Sequence, residues 1–311
     1  MDSVHACAPC KVNPYLEVVR RRADGYHELE TTLLALDLED RLHVRATRSG
    51  RTTLRVFGEF AAPDIPSDER NLALAAADFA RRFALDCGAA SGALGLELEL
   101  EKRIPSQAGL GGGSSDAAAA LLAVEHLLGI DCGAEGERAL ARLGSDCVFF
   151  HRARSTGYAR CTGRGEIVEP WPAVPEGLSA LLVTPECGAS TAAVYAALSA
   201  RLRGAETPAT LTHDFRRPDA PLVGAPLFNR LEEAALAAIP SLRPWRRLLD
   251  MAAPSTFRLA GSGASFFALV ASLSEAQALR SLVESELRRA GLTPRGLWAV
   301  RAAGHGARVD L

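Results

Sequence analysis

Nowhere does this 311-residue chain offer an uninterrupted apolar stretch of the roughly 18–20 residues that a membrane-spanning helix requires. Its first ten residues, Met1 to Cys10, lack the basic start and following apolar run of a secretory signal. Both absences predict a soluble, cytoplasmic protein with no membrane partner. Neither sign of charge is in excess: 35 Lys and Arg stand against 37 Asp and Glu, a formal net charge of −2. No global field therefore draws the chain to nucleic acid, and no basic patch with interleaved aromatics is there to bind it. Any anionic ligand must be held by local groups. A disulfide framework is missing too, because the seven cysteines are odd in number and scattered, so reduced thiols are expected. Cys7 and Cys10 form a C-x-x-C pair, yet no second pair or H-x-x-x-H completes a zinc site. Their flanks read as extended rather than as the strand-to-helix setting of a redox motif. No protein-borne metal site is expected.

Repeats and low-complexity tracts are likewise absent. What is present is an ordinary globular balance, 48% hydrophobic and 23% charged. The length suggests two domains of roughly 150 residues. The first half reads as strand-rich, with short apolar or branched segments at Val12–Val19, Leu29–Leu36, Leu42–Ala46 and Leu54–Phe57. The clearest strand, Leu94–Leu100, alternates strictly and puts Glu97 and Glu99 on the solvent side. Asn71–Phe83 carries helical spacing, and a long Ala/Leu helix is expected from about Ser115 to Leu128, stopped at Gly129. The second half opens with a strand at Ser179–Val183 and a helix at Thr191–Leu202, followed by a Pro- and charge-rich connection over 203–226. Strands at Phe257–Leu259, Phe266–Val270 and Leu297–Arg301 and a helix from a capping box at Ser274–Gln277 to Gly291 complete an α+β second domain.

The most informative segment leaves the alternating strand and runs straight into the long helix: Pro105, Ser106, Gln107, Ala108, Gly109, Leu110, Gly111, Gly112, Gly113, Ser114, Ser115 and Asp116. Three consecutive glycines let backbone approach a ligand closely, and the following helix start offers unpaired N–H groups and the positive end of a dipole. Ser114 and Ser115 add hydroxyl donors and potential caps. This is a phosphate-binding design, although a plain glycine turn before a helix has the same local pattern. It is not a P-loop, because no Lys follows the glycines, and it fails the G-x-G-x-x-G dinucleotide pattern because Ser114 stands where the last glycine belongs.

Ile104 to Ala118 resembles the second motif of the GHMP kinases (galacto-, homoserine, mevalonate and phosphomevalonate kinases). In its fuller form, I-P-x-x-A-G-L-G-G-G-S-S-D-A-A, it is similar to the branch of that family whose substrate is a cytidine diphosphate sugar alcohol. Ala8–Asn13, A-P-C-K-V-N, resembles the first family motif, and Leu259–Ala264 the third, a tight strand-to-strand loop. Arg21–Leu29, containing R-x-D-G-Y-H-x-L, is similar to a signature of the cytidine-specific branch. Coverage runs from Ala8 to about Val270.

The resemblance implies a two-domain α+β fold: an N-terminal ATP-binding α/β domain (1–168) containing a left-handed β-α-β crossover, and a C-terminal α+β sandwich domain (169–311), with the active site in the cleft between them. It implies ATP as co-substrate with Mg²⁺ on the triphosphate, and a monomer or weak dimer. Asp146, in L-G-S-D-C-V-F-F, becomes the general base, and Lys11 the residue that orients it and stabilises developing charge. Alone, Asp146 reads equally as a turn residue and Lys11 as a lysine snorkelling from a strand end. Asn13 helps position the accepting hydroxyl. Ser106 through Asp116, together with Asn71, form the nucleotide site. Tyr26 and His27 meet the cytosine, with Tyr195 as a second aromatic against the same ring. Gly261, Ser262 and Gly263 line the substrate side; a simple hairpin turn is the alternative for these three. Cys10, Pro14, Val148, Arg230 and Ala260 depart from the family pattern. Two rival readings stand beside the favoured one: a GHMP kinase for another small alcohol, such as homoserine or a mevalonate-type acid, and a nucleotide-binding homologue that no longer catalyses.

Overall fold

The computed structural model describes residues 3–310 except 91, 173 and 203–216. Most of the expected Pro- and charge-rich connection thus lies outside the described residues. The chain begins with a long hairpin, β1 (Ser3–Arg21) and β2 (His27–Thr47), closed by a turn in which Asp24 accepts a hydrogen bond from the Tyr26 backbone and Gly25 takes φ +87°. Two separate strands are expected from the sequence where β2 runs unbroken, because the acids at 37–40 read as an interruption. Each acid is in fact satisfied from elsewhere: Asp37 accepts from the Arg301 N–H, Glu39 meets His305, and Asp40 meets Lys102.

β3 (Thr52–Phe57) and β4 (Gly95–Glu101) pair in parallel, joined through helix α1 (Leu72–Asp86). Along β4 the leucines are buried while Glu99 is exposed and Glu97 half-buried, as the alternation predicts. Helix α2 (Gly112–Leu128) is the central buried helix. It begins three residues earlier than expected and stops at Gly129 in the left-handed conformation. α3 (Gly133–Leu143), α4 (Ser145–Arg152) and the hairpin β5 (Tyr158–Gly163) and β6 (Ile167–Pro170) complete the first half. One core packs α1, α2 and α4 against this sheet, its alanines (Ala73, Ala77, Ala117, Ala120) letting helix and strand backbones approach.

The second sheet is antiparallel, in the order β11-β7-β10-β9, built from β7 (Ser179–Pro185), β9 (Arg258–Leu259), β10 (Phe266–Val270) and β11 (Pro294–Arg301). Helices α5 (Thr191–Leu202), α6 (Glu232–Ala238), α7 (Arg243–Ala252) and α8 (Leu273–Ala290) build a core with residues such as Leu181, Phe257 and Phe266. The N-cap of α8 is Ser272, which accepts from the Glu275 N–H while Glu275 reaches back to the Ala271 N–H. The capping box therefore sits two residues before the one expected at Ser274.

A third apolar cluster joins the halves: Val12, Tyr15 and Leu34 of the first sheet meet Ala180, Leu182 and Phe267 of the second. β8 (Phe228–Asn229) and β12 (Arg308–Asp310) both return to pair with β1, so later segments of the chain finish the first sheet. The division at 168/169 falls inside β6. Cys7 and Cys10 are neighbours in the middle of β1, unpaired and buried; burial pushes the Cys7 thiol up to about 12 and the Cys10 thiol higher still.

Candidate active site

A cleft of about 1090 Å³ opens where β1, the loop before α2, the start of α4 and the β9–β10 loop converge. A register shift between Val12 and Tyr15 marks a bulge in β1. Pro14, which has no N–H to give a ladder, is accommodated in that irregularity. Lys11 is 4% exposed, and its ammonium lies 3.3 Å from Asp146 Oδ2 while donating to Asn13 Oδ1 at 3.0 Å. Asn13 Oδ1 also accepts from the Gly261 N–H at 3.1 Å, and Asn13 Nδ2 donates to Thr31 Oγ1 at 2.9 Å. The Asn13 side chain thus brackets Lys11 against the β9–β10 loop and keeps one amide hydrogen for a ligand. Burying an ammonium is costly without an anionic partner, and Asp146, partly open to the cleft at the N-terminal turn of α4, is that partner.

The glycine loop wraps over this pair. The Lys11 N–H donates to the Leu110 carbonyl at 2.9 Å. Gly111 has φ +74°, and a Cβ there would lie 2.9 Å from Lys11 Cγ. Gly109 has φ +76°, and a Cβ there would lie 2.2 Å from the Ala260 carbonyl oxygen. Neither position admits a side chain without moving the lysine or the facing loop. Gly111 is the N-cap of α2 and contributes no side-chain cap, so the first N–H groups of the helix point free into the cleft.

Of the residues singled out in the sequence, all line the cleft except Ser115 and Gly263. Ser115 is on the wrong face of α2: it is fully buried against the core, and its Oγ has no hydrogen-bond partner among the described residues. Gly263 packs on the Leu259 side chain behind the loop. Two others reach the cleft with their polar groups already engaged. Asn71 caps α1, accepting from the Ala73 N–H and donating to the Pro66 carbonyl. Asp116 is 3% exposed and lies 2.6 Å from Lys102 Nζ, which also meets Asp40. Ser106 and Gln107 both donate to Asp64 Oδ2, fixing the entry to the loop. Ser262 Oγ pairs with Thr191 Oγ1 at 2.8 Å.

The aromatic group is only partly assembled as expected. His27 and Tyr195 face each other with ring centroids 5.0 Å apart, and His27 Nε2 meets Ser199 Oγ at 3.1 Å. No ring fits between planes that close. Tyr26 is half exposed beside them, with the Arg164 guanidinium 4.9 Å from its ring centre. Burial, with help from Arg21, holds the His27 imidazole below its ordinary value, so the ring is neutral near pH 7.

Residues 71–157 match the profile described as GHMP kinases N terminal domain, and residues 211–288 match GHMP kinases C terminal. The chain is 37% identical over 278 residues to the 4-diphosphocytidyl-2-C-methyl-D-erythritol kinase of Pelotomaculum thermopropionicum, covering 88% of this chain and 91% of the relative. The enzyme of the same name from Paracoccus denitrificans is 38% identical over 300 residues, 96% and 95% of the two chains. The chain belongs to the GHMP kinases. A solved 4-(cytidine 5'-diphospho)-2C-methyl-D-erythritol kinase superposes with TM-score 0.68 at 30% identity over 95% of this chain and 98% of that one. Homoserine kinase from Cytophaga hutchinsonii shares the fold, with TM-score 0.66 at 19% identity over 100% of this chain and 98% of that one.

Within this GHMP kinase several cleft residues carry no recognisable sequence signal. Lys102 and Asp40 are separated by 62 positions and meet only through the β2–β4 pairing. Arg21, Arg70 and Arg164 line the cleft as well. Arg21 is the middle of three consecutive arginines, and strand alternation alone separates it from Arg20. Among the described residues no group of three or more His, Cys, Asp or Glu side chains is placed to hold a metal ion.

Proposed function

We propose that this GHMP kinase transfers the γ-phosphoryl group of ATP to the C2 hydroxyl of 4-diphosphocytidyl-2-C-methyl-D-erythritol, a step of the methylerythritol phosphate route to isoprenoids. The observation that carries the reaction type is the Lys11–Asp146 pair at 3.3 Å beneath a glycine loop that starts a helix. Asp146 takes the proton of the attacking hydroxyl, which leaves an oxygen nucleophile facing the terminal phosphorus in line with the departing ADP. Lys11 holds the carboxylate in place and offsets charge as it moves toward the phosphoryl oxygens. Asn13 fixes Lys11 and offers its remaining amide hydrogen to the hydroxyl. Phosphoryl transfer needs little more than positioning and electrostatic stabilisation, and the cleft is built for both.

ATP enters as its Mg²⁺ complex, the free N–H groups at the start of α2 receiving the phosphates and the pocket beside Asn71 the adenine. Bound with ATP, Mg²⁺ would be held chiefly by the triphosphate and would neutralise charge on the transferring phosphoryl group. What supports the cytidine substrate is the relatives' shared specificity and the Tyr26, His27 and Tyr195 group. Because His27 and Tyr195 already stack, the base lies against an outer face of this group, with a neutral imidazole available to its edge. All of these residues come from one chain, so a monomer suffices. Seven unpaired cysteines fit a reducing, cytoplasmic setting.

The test is ADP release from Mg-ATP with 4-diphosphocytidyl-2-C-methyl-D-erythritol, homoserine and mevalonate in parallel, for wild type and Asp146→Asn. Turnover with the cytidine substrate alone, falling at least about 100-fold in Asp146→Asn, is the expected result. Turnover with another alcohol overturns the substrate assignment. ATP binding without turnover of any of them overturns the catalytic one.

A further inference from the structure

The proposed substrate is a rod with three parts: a base at one end, the reacting alcohol at the other, and a diphosphate between them. The aromatic group receives the first end and the Lys11–Asp146 pair the second, and neither reaches the diphosphate. Two arginines stand where that middle part must pass. Resting on the proposed function, we infer that Arg21 and Arg164 form a diphosphate subsite that selects a cytidine diphosphate ester over an uncharged or singly charged cytidine.

Arg20 and Arg21 end β1 and Arg22 follows it, and alternation sends Arg20 and Arg21 to opposite faces. The outer two of the three are neutralised: Arg20 pairs with Glu28, and Arg22 with Asp24 and Glu28. Arg21 lines the cleft, is exposed, and makes no ion pair among the described residues. It stands directly across the hairpin from His27 in the β1–β2 register, close enough to depress that imidazole. An unpaired cation beside a base-recognition residue in a cleft for anions is a binding group by its charge and its place.

Arg164 reaches the same region from the β5–β6 turn. Its guanidinium covers the Tyr26 ring at 4.9 Å. The next residue, Gly165, abuts the catalytic turn: a Cβ there would lie 3.3 Å from Ser145 Cβ and 3.9 Å from Asp146 Oδ1. Arg164 thus occupies the step between the base group and the general base. Its position is fixed by Glu166, 3.5 Å from Nε, and by the Ala141 carbonyl, 3.2 Å from Nη2. The Nη1 group makes no hydrogen bond among the described residues and remains for a phosphate oxygen. Held over the Tyr26 ring and by Glu166 and Ala141, the guanidinium loses little freedom when it binds.

Binding of CDP, CMP and cytidine, measured by calorimetry at two salt concentrations, tests this, together with KM and kcat for the full substrate. Arg21→Ala and Arg164→Gln are each expected to weaken CDP about tenfold while leaving cytidine unchanged, and to raise KM for the cytidine substrate with KM for ATP unaltered. Arg164→Lys is expected to recover part of the loss, and added salt to weaken CDP more than cytidine in the wild type alone. Should the CDP-to-cytidine ratio stay at the wild-type value in both variants while wild type turns over the cytidine substrate, the subsite is overturned and the kinase assignment stands. Should wild type bind neither CDP nor the substrate, both fall together. Arg21 is at the surface, so its variant reports on binding even where Arg164→Gln unfolds the hairpin.

Discussion

Lys102→Met is the sharpest perturbation the structure offers, because it removes the shared cation of a buried triad without altering side-chain bulk. Lys102 is 3% exposed and touches Asp40 and Asp116, both buried as deeply. Asp40 also accepts the Arg103 and Ile104 N–H groups, the last residues before the glycine loop. Without the ammonium, the two buried carboxyl groups face each other with no cation between them, and breaking such an arrangement costs about 3–5 kcal/mol. At about 2–4 °C per kcal/mol for a chain of this size, the melting temperature falls by about 6–20 °C. The pH dependence has a fixed sign. Burial raises the Asp116 carboxyl to about 8 despite the pull of Lys102, with Asp40 adding to the rise. The folded protein therefore keeps a proton that the unfolded chain releases near 3.8, and the associated stability is complete below that value and lost as pH climbs through the folded one. Losing Lys102 removes the pull that lowers the Asp116 carboxyl, so the gap between variant and wild type opens as pH climbs through the wild-type folded value, from about pH 7 to about pH 9. Differential scanning fluorimetry across that range measures it. A shift below about 2 °C, or one indifferent to pH, refutes the claim that this cation holds two ionisable groups beneath the loop. Adding Asp116→Asn to Lys102→Met removes one of the stranded carboxyls and is expected to restore part of the loss.

Three further outcomes follow from local geometry. Gly111→Ala places a methyl against Lys11 in a left-handed backbone that costs alanine about 1–2 kcal/mol, so kcat is expected to fall tenfold or more, with ATP affinity weakened alongside, as steady-state kinetics will read. Arg230→Glu sets a carboxylate against Glu17, now held by two contacts at 2.7 and 2.8 Å; urea denaturation is expected to show a loss of about 1.5–3 kcal/mol, most of it regained in Glu17→Arg/Arg230→Glu. KM for the cytidine substrate is expected to stay flat from pH 8 to about 6.5 and to rise in acid as His27, its folded value depressed, takes a proton. In Arg21→Ala that rise begins at higher pH, and an unchanged midpoint counts against the Arg21–His27 coupling.

The parts of the site legible in the sequence are those whose chemistry needs residues close together along the chain. A glycine run between a strand and a helix is such a part, since backbone approach and helix dipole are both local. Residues 191–202 and 266–270 are legible for the same reason, their patterning being strong and uninterrupted. Illegible parts depend on what another segment supplies. The acids at 37–40 look like a strand break until Arg301, His305 and Lys102 are seen to meet them. Ser115 belongs to the motif yet turns inward, because the residue one position past a cleft-facing helix residue points elsewhere on a 3.6-residue turn. β12 and β8 are too short to carry a periodicity and exist only because β1 offers them an edge.

The departures from the family pattern separate along the same line. Cys10, Val148 and Ala260 are wholly or nearly buried and fill apolar space, so they alter packing without touching a ligand. Pro14 sits in a bulge that needs no ladder hydrogen bond. Arg230 lies opposite Glu17 and pairs with it at 2.7 Å, so its charge is matched within the fold. Asn229, beside it, donates to the Leu259 and Gly261 carbonyls at 2.7 Å each and so holds the β9–β10 loop against Asn13. The loop carrying Ala260 is therefore fixed from behind by an amide rather than from within by a hydroxyl. That is why losing the hydroxyl leaves the Lys11–Asn13–Gly261 connection intact, and why Asn229→Ala, rather than Ala260→Ser, is the substitution at this loop that should loosen the lysine.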